Sequence, residues 1–229
     1  MRHIIASVFK KCEWYTCRIM GKHEQHIEAT DKTTVETYNR GAEAYEQKYQ
    51  KMGPRVGDIE RGFVFLLDRA NPFVFEIGVG NGREAKEICK QTDRYFGIDV
   101  SSSMLGLAQR NNPYLHFEQG DVVTHTFPSE IDIIFAFASL LHIDKNAMKH
   151  VLEKADAALT VGGVFYISLK RREEYSSELT EDTYGERQFF YYNRDTLESL
   201  MPASFETVYY AEQDHAGDTW LTIAFRKRQ

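Results

Sequence analysis

Between Pro72 and Leu169 the chain alternates two patterns. Short, nearly unbroken apolar runs occupy residues 73–77, 95–98, 115–117, 131–137 and 164–169. A run with no polar side suits a strand buried on both faces. Between the runs, apolar residues recur every three or four positions, the period of a helix with one buried face. Helices are expected over 83–90, after a Ser101 cap (Met104, Leu105, Leu107, Ala108), and after an Asp144 cap (Met148, Val151, Leu152, Ala155, Leu159). Regular strand–helix alternation predicts an α/β architecture, a parallel sheet covered by helices on both faces.

The flanks differ. Val35, Tyr38, Ala42, Tyr45 and Tyr49 share one helical face over 31–52, with Asp31 or Thr33 as cap and Gly53-Pro54 as stop. A second helix follows, with Ile59, Phe63, Leu66 and Leu67 inward, and Asn71-Pro72 ends it. Beyond the fifth strand, residues 171–187 are charged and read as a loop or lid. Asn193 caps a short helix containing Leu197 and Leu200. Residues 205–211 and 220–225 read as two strands joined by a polar loop over 212–218, most simply antiparallel. The organisation expected is an extension over 1–28 and one domain over 29–229. That domain divides into a helical cover (29–71), a core (72–170), and a lid, helix and strand pair (171–229).

Composition narrows the function classes. The 229 residues are 42% apolar and 27% charged, ordinary globular usage that excludes a disordered or collagen-like chain. A net charge of −6 argues against a protein that grips nucleic acid through many lysines and arginines. No run approaches the ~20 apolar residues that span a bilayer, and no signal-peptide pattern opens the sequence. Three cysteines fit a reducing compartment, and the expectation is a soluble cytoplasmic protein. Cys12, Cys17, His23 and His26 invite a zinc reading, but the His-x2-His pair and the five-residue loop depart from structural zinc spacing, so no metal is expected. Cys89 is expected to pack as a small apolar residue.

The chemistry concentrates at Glu76-Ile77-Gly78-Val79-Gly80-Asn81-Gly82, after a strand and before a helix. Glycines let backbone approach a ligand and adopt positive φ. Asp99 ends the next strand, where a carboxylate can accept both hydroxyls of a ribose. The pattern therefore points to a nucleoside-containing cofactor. The dinucleotide fingerprint is G-x-G-x-x-G, whereas Arg83 stands here at the last glycine position. A Glu76 carboxylate would repel a pyrophosphate by about 1–4 kcal/mol at 4 Å, and would attract a sulfonium and an α-ammonium. The charges favour S-adenosylmethionine over NAD.

Residues 75–169 resemble the class I S-adenosylmethionine-dependent methyltransferases. Five motifs carry the resemblance in order: the glycine turn, Gly97-Ile98-Asp99-Val100-Ser101, Gln119-Gly120-Asp121-Val122, the strand over 132–138, and Gly162-Gly163-Val164-Phe165. The resemblance implies a Rossmann-like fold with a mostly parallel seven-stranded sheet, an antiparallel C-terminal strand and helices on both faces. It implies that Glu76, Gly78, Gly80 and Gly82 line the methionine and ribose, that Asp99 holds the ribose, and that Met104 lies on the adenine side. It further implies that Asp121 accepts from the adenine amino group with Val122 nearby, and that Phe137 or Ala136 faces the methionyl part. Residues 187–193 are similar to an R-x-F-x-Y-Y segment of small bacterial methyltransferases of this class. The Arg171-Arg172-Glu173-Glu174 stretch after Lys170 departs from the glycine-rich loop of those chains.

Methyl transfer demands alignment more than functional groups, and some acceptors also need a base. His142, just past the fourth strand, is the candidate base. Tyr38 is the candidate for the cofactor carboxylate, and Tyr45 and Tyr49 for the acceptor pocket. Lys170, Arg187 and Tyr192 are candidates for an anionic acceptor. No Asn/Asp-Pro-Pro-Tyr/Phe segment or Pro-Cys pair follows the fourth strand, which argues against nucleic-acid amino-methyl and cytosine-C5 chemistry. The function expected is methylation of a small molecule on oxygen or nitrogen. The alternatives are an NAD-dependent oxidoreductase, which lacks a Tyr-x-x-x-Lys relay here, and a non-catalytic cofactor-binding regulator.

Overall fold

The computed structural model describes residues 29–66 and 69–229; the extension, the Cys12/Cys17/His23/His26 quartet and Leu67 lie outside them. Two helices lead, α1 (Lys32–Gln50) and α2 (Val56–Phe65). Asp31 caps α1 by accepting from the Thr34 N–H. The alternating core follows as β1 (Val74–Ile77), α3 (Arg83–Ile88), β2 (Tyr95–Asp99), α4 (Ser102–Asn111), β3 (Phe117–Gln119) and β4 (Ile131–Phe137). A 3-10 turn at Leu140–His142, α5 (Lys145–Ala158) and β5 (Leu159–Lys170) complete it. Then come β6 (Ser176–Asp182), β7 (Gly185–Tyr191), α6 (Arg194–Leu200), β8 (Phe205–His215) and β9 (Asp218–Lys227).

Seven strands form one sheet in the order β3-β2-β1-β4-β5-β9-β8. The first five pair parallel and β9 runs antiparallel between β5 and β8. The apolar runs explain the layers. Alternate strand residues point to opposite faces. Phe75, Ile77, Ile134, Ala136, Phe165 and Ile167 join the α5 residues Met148, Val151 and Leu152 in one core. Val74, Ile133, Phe135, Val164 and Tyr166 join Ile59 of α2 and Ala85 and Ile88 of α3 in the other. Every residue of β1 and β4 is buried, as strands with two covered faces require.

The structure corrects the tail. Residues 172–175 are irregular, but from Ser176 the segment is not a loop: β6 and β7 form a separate antiparallel hairpin, with Leu179 opposite Gln188. The period of two is present in β7, where Arg187, Phe189 and Tyr191 are buried, but an arginine in an inward position and the polar sequence of β6 mask it. The polar loop expected over 212–218 is also mostly strand. β8 runs to His215 and β9 starts at Asp218, leaving a two-residue turn at Ala216-Gly217 with φ of 54° and 87°. Positive φ at both central residues suits the twist of the flanking strands. The fifth strand begins at Leu159, five residues before the expected start, with a register shift opposite Ile131 and Ile133.

Candidate functional site

The carboxyl ends of β1, β2 and β4 open into a cleft of about 630 Å³, the place where open α/β sheets bind ligands. Helix α1, the β6–β7 hairpin and the β8–β9 turn cover it, contributing Tyr38, Arg187 and Ala216 among others.

The floor is backbone. Gly78 and Gly80 have φ of 75° and 55°, and both line the cleft. A Cβ on Gly78 would stand 2.3 Å from the Ser139 Cβ, so the glycine lets the turn pass close to the end of β4. Gly82 departs from expectation. It lies outside the cleft lining, and its Cβ would meet the Asn112 amide at 2.4 Å, so its role is packing α3 against α4. Asp99 is the polar centre of the floor. Its Oδ2 accepts from the Gly80 N–H and its Oδ1 from the Ser101 N–H, both at 2.8 Å. Burial raises its carboxyl to about 6, against the pull of those two N–H groups. Each oxygen retains an acceptor site, which fits a vicinal diol.

Several other motif residues are committed elsewhere. Glu76 is 2% exposed, lies outside the cleft lining and accepts from the Tyr95 hydroxyl at 2.5 Å. Burial, reinforced by Glu84, pushes its carboxyl well above the usual range, so it is not the free anion that the charge argument assumed. Glu84, tied to Arg83, lines the cleft instead. Asp121 also stands outside the lining. Its carboxylate accepts from the N–H groups of Thr30 and Val123, each at 2.8 Å. Val122 and Met104 do line the cleft. Behind the Val122 turn, the Lys154 ammonium donates to the carbonyls of Val122 (2.6 Å), Val123 (3.0 Å) and His125 (2.5 Å). Nothing in the sequence announces Lys154, which α5 delivers from some thirty positions away.

The opposite wall is built from long side chains. Phe137 ends β4 with the Arg55 guanidinium 5.1 Å over its ring. Asp58 holds Arg55 at 2.8 Å and accepts from the Tyr166 hydroxyl at 2.8 Å. Sequence reasoning missed both Arg55 and Asp58. The guanidinium of Arg187, 8% exposed, lies 5.6, 5.5 and 5.1 Å from the rings of Tyr38, Tyr45 and Phe189 and pairs with Asp182. Tyr45 stacks on Tyr184 at 4.2 Å and on Tyr49 at 5.9 Å. Lys170 pairs with Asp218 at 2.7 Å and lines the cleft. Tyr192 does not reach the cleft: it is fully buried and donates to the Ile143 carbonyl at 2.8 Å. Cys89 is half-buried among apolar neighbours, and burial pushes its thiol up to about 11, consistent with simple packing.

Tyr38 and His142 meet over the cleft. The Tyr38 hydroxyl lies 2.8 Å from His142 Nε2, and His142 Nδ1 lies 2.6 Å from the Gln188 carbonyl. Burial lowers His142 to about 4, so the ring is neutral near pH 7. With both nitrogens engaged, it is not an open base facing an acceptor. Three buried polar atoms on cleft-lining residues have no hydrogen-bond partner among the described residues: Tyr45 Oη, Ser139 Oγ and Arg187 Nε. Such orphans cost free energy unless a ligand satisfies them. Together with the open acceptor sites on Asp99, they fit a polar, ribose-bearing cofactor. No cluster of metal-ligating side chains and no helix long and apolar enough to cross a membrane occurs among the described residues.

Residues 74–163 match a family described as a methyltransferase domain. An uncharacterised methyltransferase of Geobacillus kaustophilus is 25% identical over 194 residues, covering 79% of this chain and 88% of its own. Among solved structures, an S-adenosylmethionine-dependent methyltransferase from Clostridium acetobutylicum superimposes with a TM-score of 0.66 at 13% identity, over 84% of this chain and 99% of that one. The 1,6-didemethyltoxoflavin-N1-methyltransferase of Burkholderia thailandensis, solved with 1,6-didemethyltoxoflavin and S-adenosylhomocysteine, gives 0.64 at 20% identity, over 85% and 87%.

Proposed function

We propose that this chain, which its fold and matches support as a class I S-adenosylmethionine-dependent methyltransferase, moves the methyl group to an oxygen or nitrogen of a small-molecule acceptor. The observation that carries the reading is the Asp99 cradle at the bottom of a roofed cleft. About 630 Å³ suits a cofactor with a compact acceptor, within the range of small-molecule sites. The N-methyltransferase relative, solved with a small heterocycle, is in keeping with an acceptor of that size.

When bound, S-adenosylmethionine supplies a methyl group already activated by its sulfonium. The protein's part is orientation and exclusion of water. In this reading Asp99 takes the ribose hydroxyls, and Gly78 and Gly80 bring backbone against the nucleoside and methionyl stem. Met104 and Val122 flank the base. Phe137 and Ser139 border the reacting carbon. Tyr45, Tyr49, Arg55, Lys170 and Arg187 shape the acceptor wall.

Titration calorimetry of the full chain with S-adenosylmethionine, S-adenosylhomocysteine and NAD tests the cofactor. Micromolar affinity for the first two and none for NAD is expected; NAD binding alone would overturn the reading. Transfer of labelled methyl to a panel of amines, phenols and carboxylates then tests the acceptor class.

A further inference from the structure

Hydrogen-bond directions around His142 fix the polarity of the cleft. The Gln188 carbonyl can only accept, so His142 Nδ1 carries the ring proton. The buried ring is neutral, which leaves Nε2 as a bare acceptor. The Tyr38 hydroxyl, 2.8 Å away, therefore donates its only proton to Nε2. The Arg187 guanidinium donates to one lone pair of that oxygen, so what Tyr38 offers to the cleft is the other. It cannot donate to a cofactor carboxylate, which corrects the role expected from the sequence; it can only face an N–H or O–H.

Two hydrogen bonds between α1 and β7 hold the arrangement. The Gln188 N–H donates to Thr34 Oγ1 at 2.9 Å, and Thr37 Oγ1 donates to the Glu186 carbonyl at 2.7 Å, so α1 and β7 are stitched together on either side of the His142 contact. The charged groups that bear on His142 are Arg187 from β7, Lys170 from β5 and Asp31 at the start of α1. Burial is the larger cause, and the two cations outweigh the one anion, so the resting ring is held neutral.

Building on the methyltransferase reading, we propose that Tyr38 and His142 form a two-step proton relay for a protic acceptor, with Tyr38 as the group that touches the acceptor's N–H or O–H. As the acceptor atom bonds to the methyl carbon and the sulfur–carbon bond breaks, the acceptor's proton passes to Tyr38 Oη. The proton already on Tyr38 passes to His142 Nε2, and the Gln188 carbonyl holds the resulting imidazolium through Nδ1–H. One positive charge leaves the sulfonium and one arrives on the imidazole, so the cleft's net charge is conserved. The relay selects acceptors that carry a hydrogen on the methylated atom and sets them apart from those that do not.

The test needs no knowledge of the natural acceptor. Sinefungin carries an amine where the methyl-sulfonium of the cofactor stands, and so places an N–H donor at the reacting position. Calorimetry on the full chain is expected to show sinefungin binding at least about tenfold more tightly than S-adenosylhomocysteine, with Tyr38→Phe reducing that ratio to within about twofold. In parallel, 15N NMR of histidine-labelled protein, with His142 assigned through His142→Gln, is expected to show Nδ1 protonated and Nε2 bare at pH 7. A wild-type ratio near one, a ratio that survives in Tyr38→Phe, a parallel loss of both ligands in that variant, or a protonated Nε2 would each overturn the relay while leaving the methyltransferase reading intact. Failure of wild-type protein to bind S-adenosylhomocysteine at all would remove both.

Discussion

The two walls of the cleft are built on different plans. The wall proposed for the cofactor comes from the turns after β1 and β2 and the Val122 turn, and it is built of backbone N–H groups, glycines and one short carboxylate. The wall proposed for the acceptor comes from α1, α2, the β6–β7 hairpin and the β8–β9 pair, and it is built of long side chains. Its cations are mostly neutralised by neighbours: Arg55 by Asp58, Lys170 by Asp218 and Arg187 by Asp182. A left-handed glycine tolerates almost no substitution, whereas a part-exposed pair such as Lys170–Asp218 can be exchanged at modest cost. On the proposed function, the contrast teaches that donor binding is written into the local path of the chain, and acceptor choice into tertiary neighbours.

Substitutions at the two walls should therefore differ sharply in effect. The largest is expected at Gly78→Val, which sets a β-branched residue at φ 75° with its Cβ 2.3 Å from that of Ser139. Strain and overlap together should cost about 3 kcal/mol or more, read as a lower melting temperature, with cofactor affinity lost. If the variant keeps both its stability and its affinity, the backbone account of the floor is wrong.

Asp99→Ala comes next. It removes the ribose acceptor and strands the Gly80 and Ser101 N–H groups, so S-adenosylhomocysteine should bind at least about tenfold more weakly by calorimetry. The same residue gives a pH signature. Its folded carboxyl titrates near 6, above the ordinary aspartate value, so the folded state takes up its proton first as pH falls. The ionised carboxylate is the better diol partner. Affinity should rise with pH up to about 6, level off above it, and fall about tenfold per unit well below it. The sign for the free protein is opposite: this group's contribution to stability declines as pH rises from about 4 to 6, since the buried carboxylate is then charged.

Lys154→Met is expected to act from behind the wall. Loss of three carbonyl contacts loosens the Val122 turn, and S-adenosylhomocysteine affinity should drop by about threefold to tenfold without a new ligand contact being lost. An unchanged affinity would mean that the turn holds itself. The smallest effect is expected at Tyr192→Phe: about 1 kcal/mol of stability from the lost Ile143 bond, and no change in cofactor affinity or methyl transfer. An altered affinity there would break the separation between core and wall.

The same contrast explains what the sequence could reveal. The βα units were legible because β1 and β4 are apolar on both faces but for Glu76 and Asp132, and the Gly78–Gly80–Asp99 floor was legible because its chemistry lies in short turns at strand ends. The hairpin β6–β7 was not, because its inward positions include Arg187, whose burial depends on the rings of Tyr38, Tyr45 and Phe189. Glu76, Asp121 and Tyr192 have the right chemistry for a site but spend it on Tyr95, on Thr30 and Val123, and on Ile143. Apart from Val123, two residues from Asp121, those partners lie 19 to 91 positions away, and no local pattern names them. Arg55, Asp58 and Lys154 were invisible for the converse reason: ordinary surface-type residues made important only by where helices deliver them.

The hairpin turns at Thr183-Tyr184 and Ala216-Gly217 close two strand pairs that roof the cleft while making no part of its glycine floor. Residues can be added to or removed from such turns without disturbing the parallel strands beneath. On the proposed function, loop length at these two places would tune the acceptor while leaving the floor that takes the methyl donor unaltered.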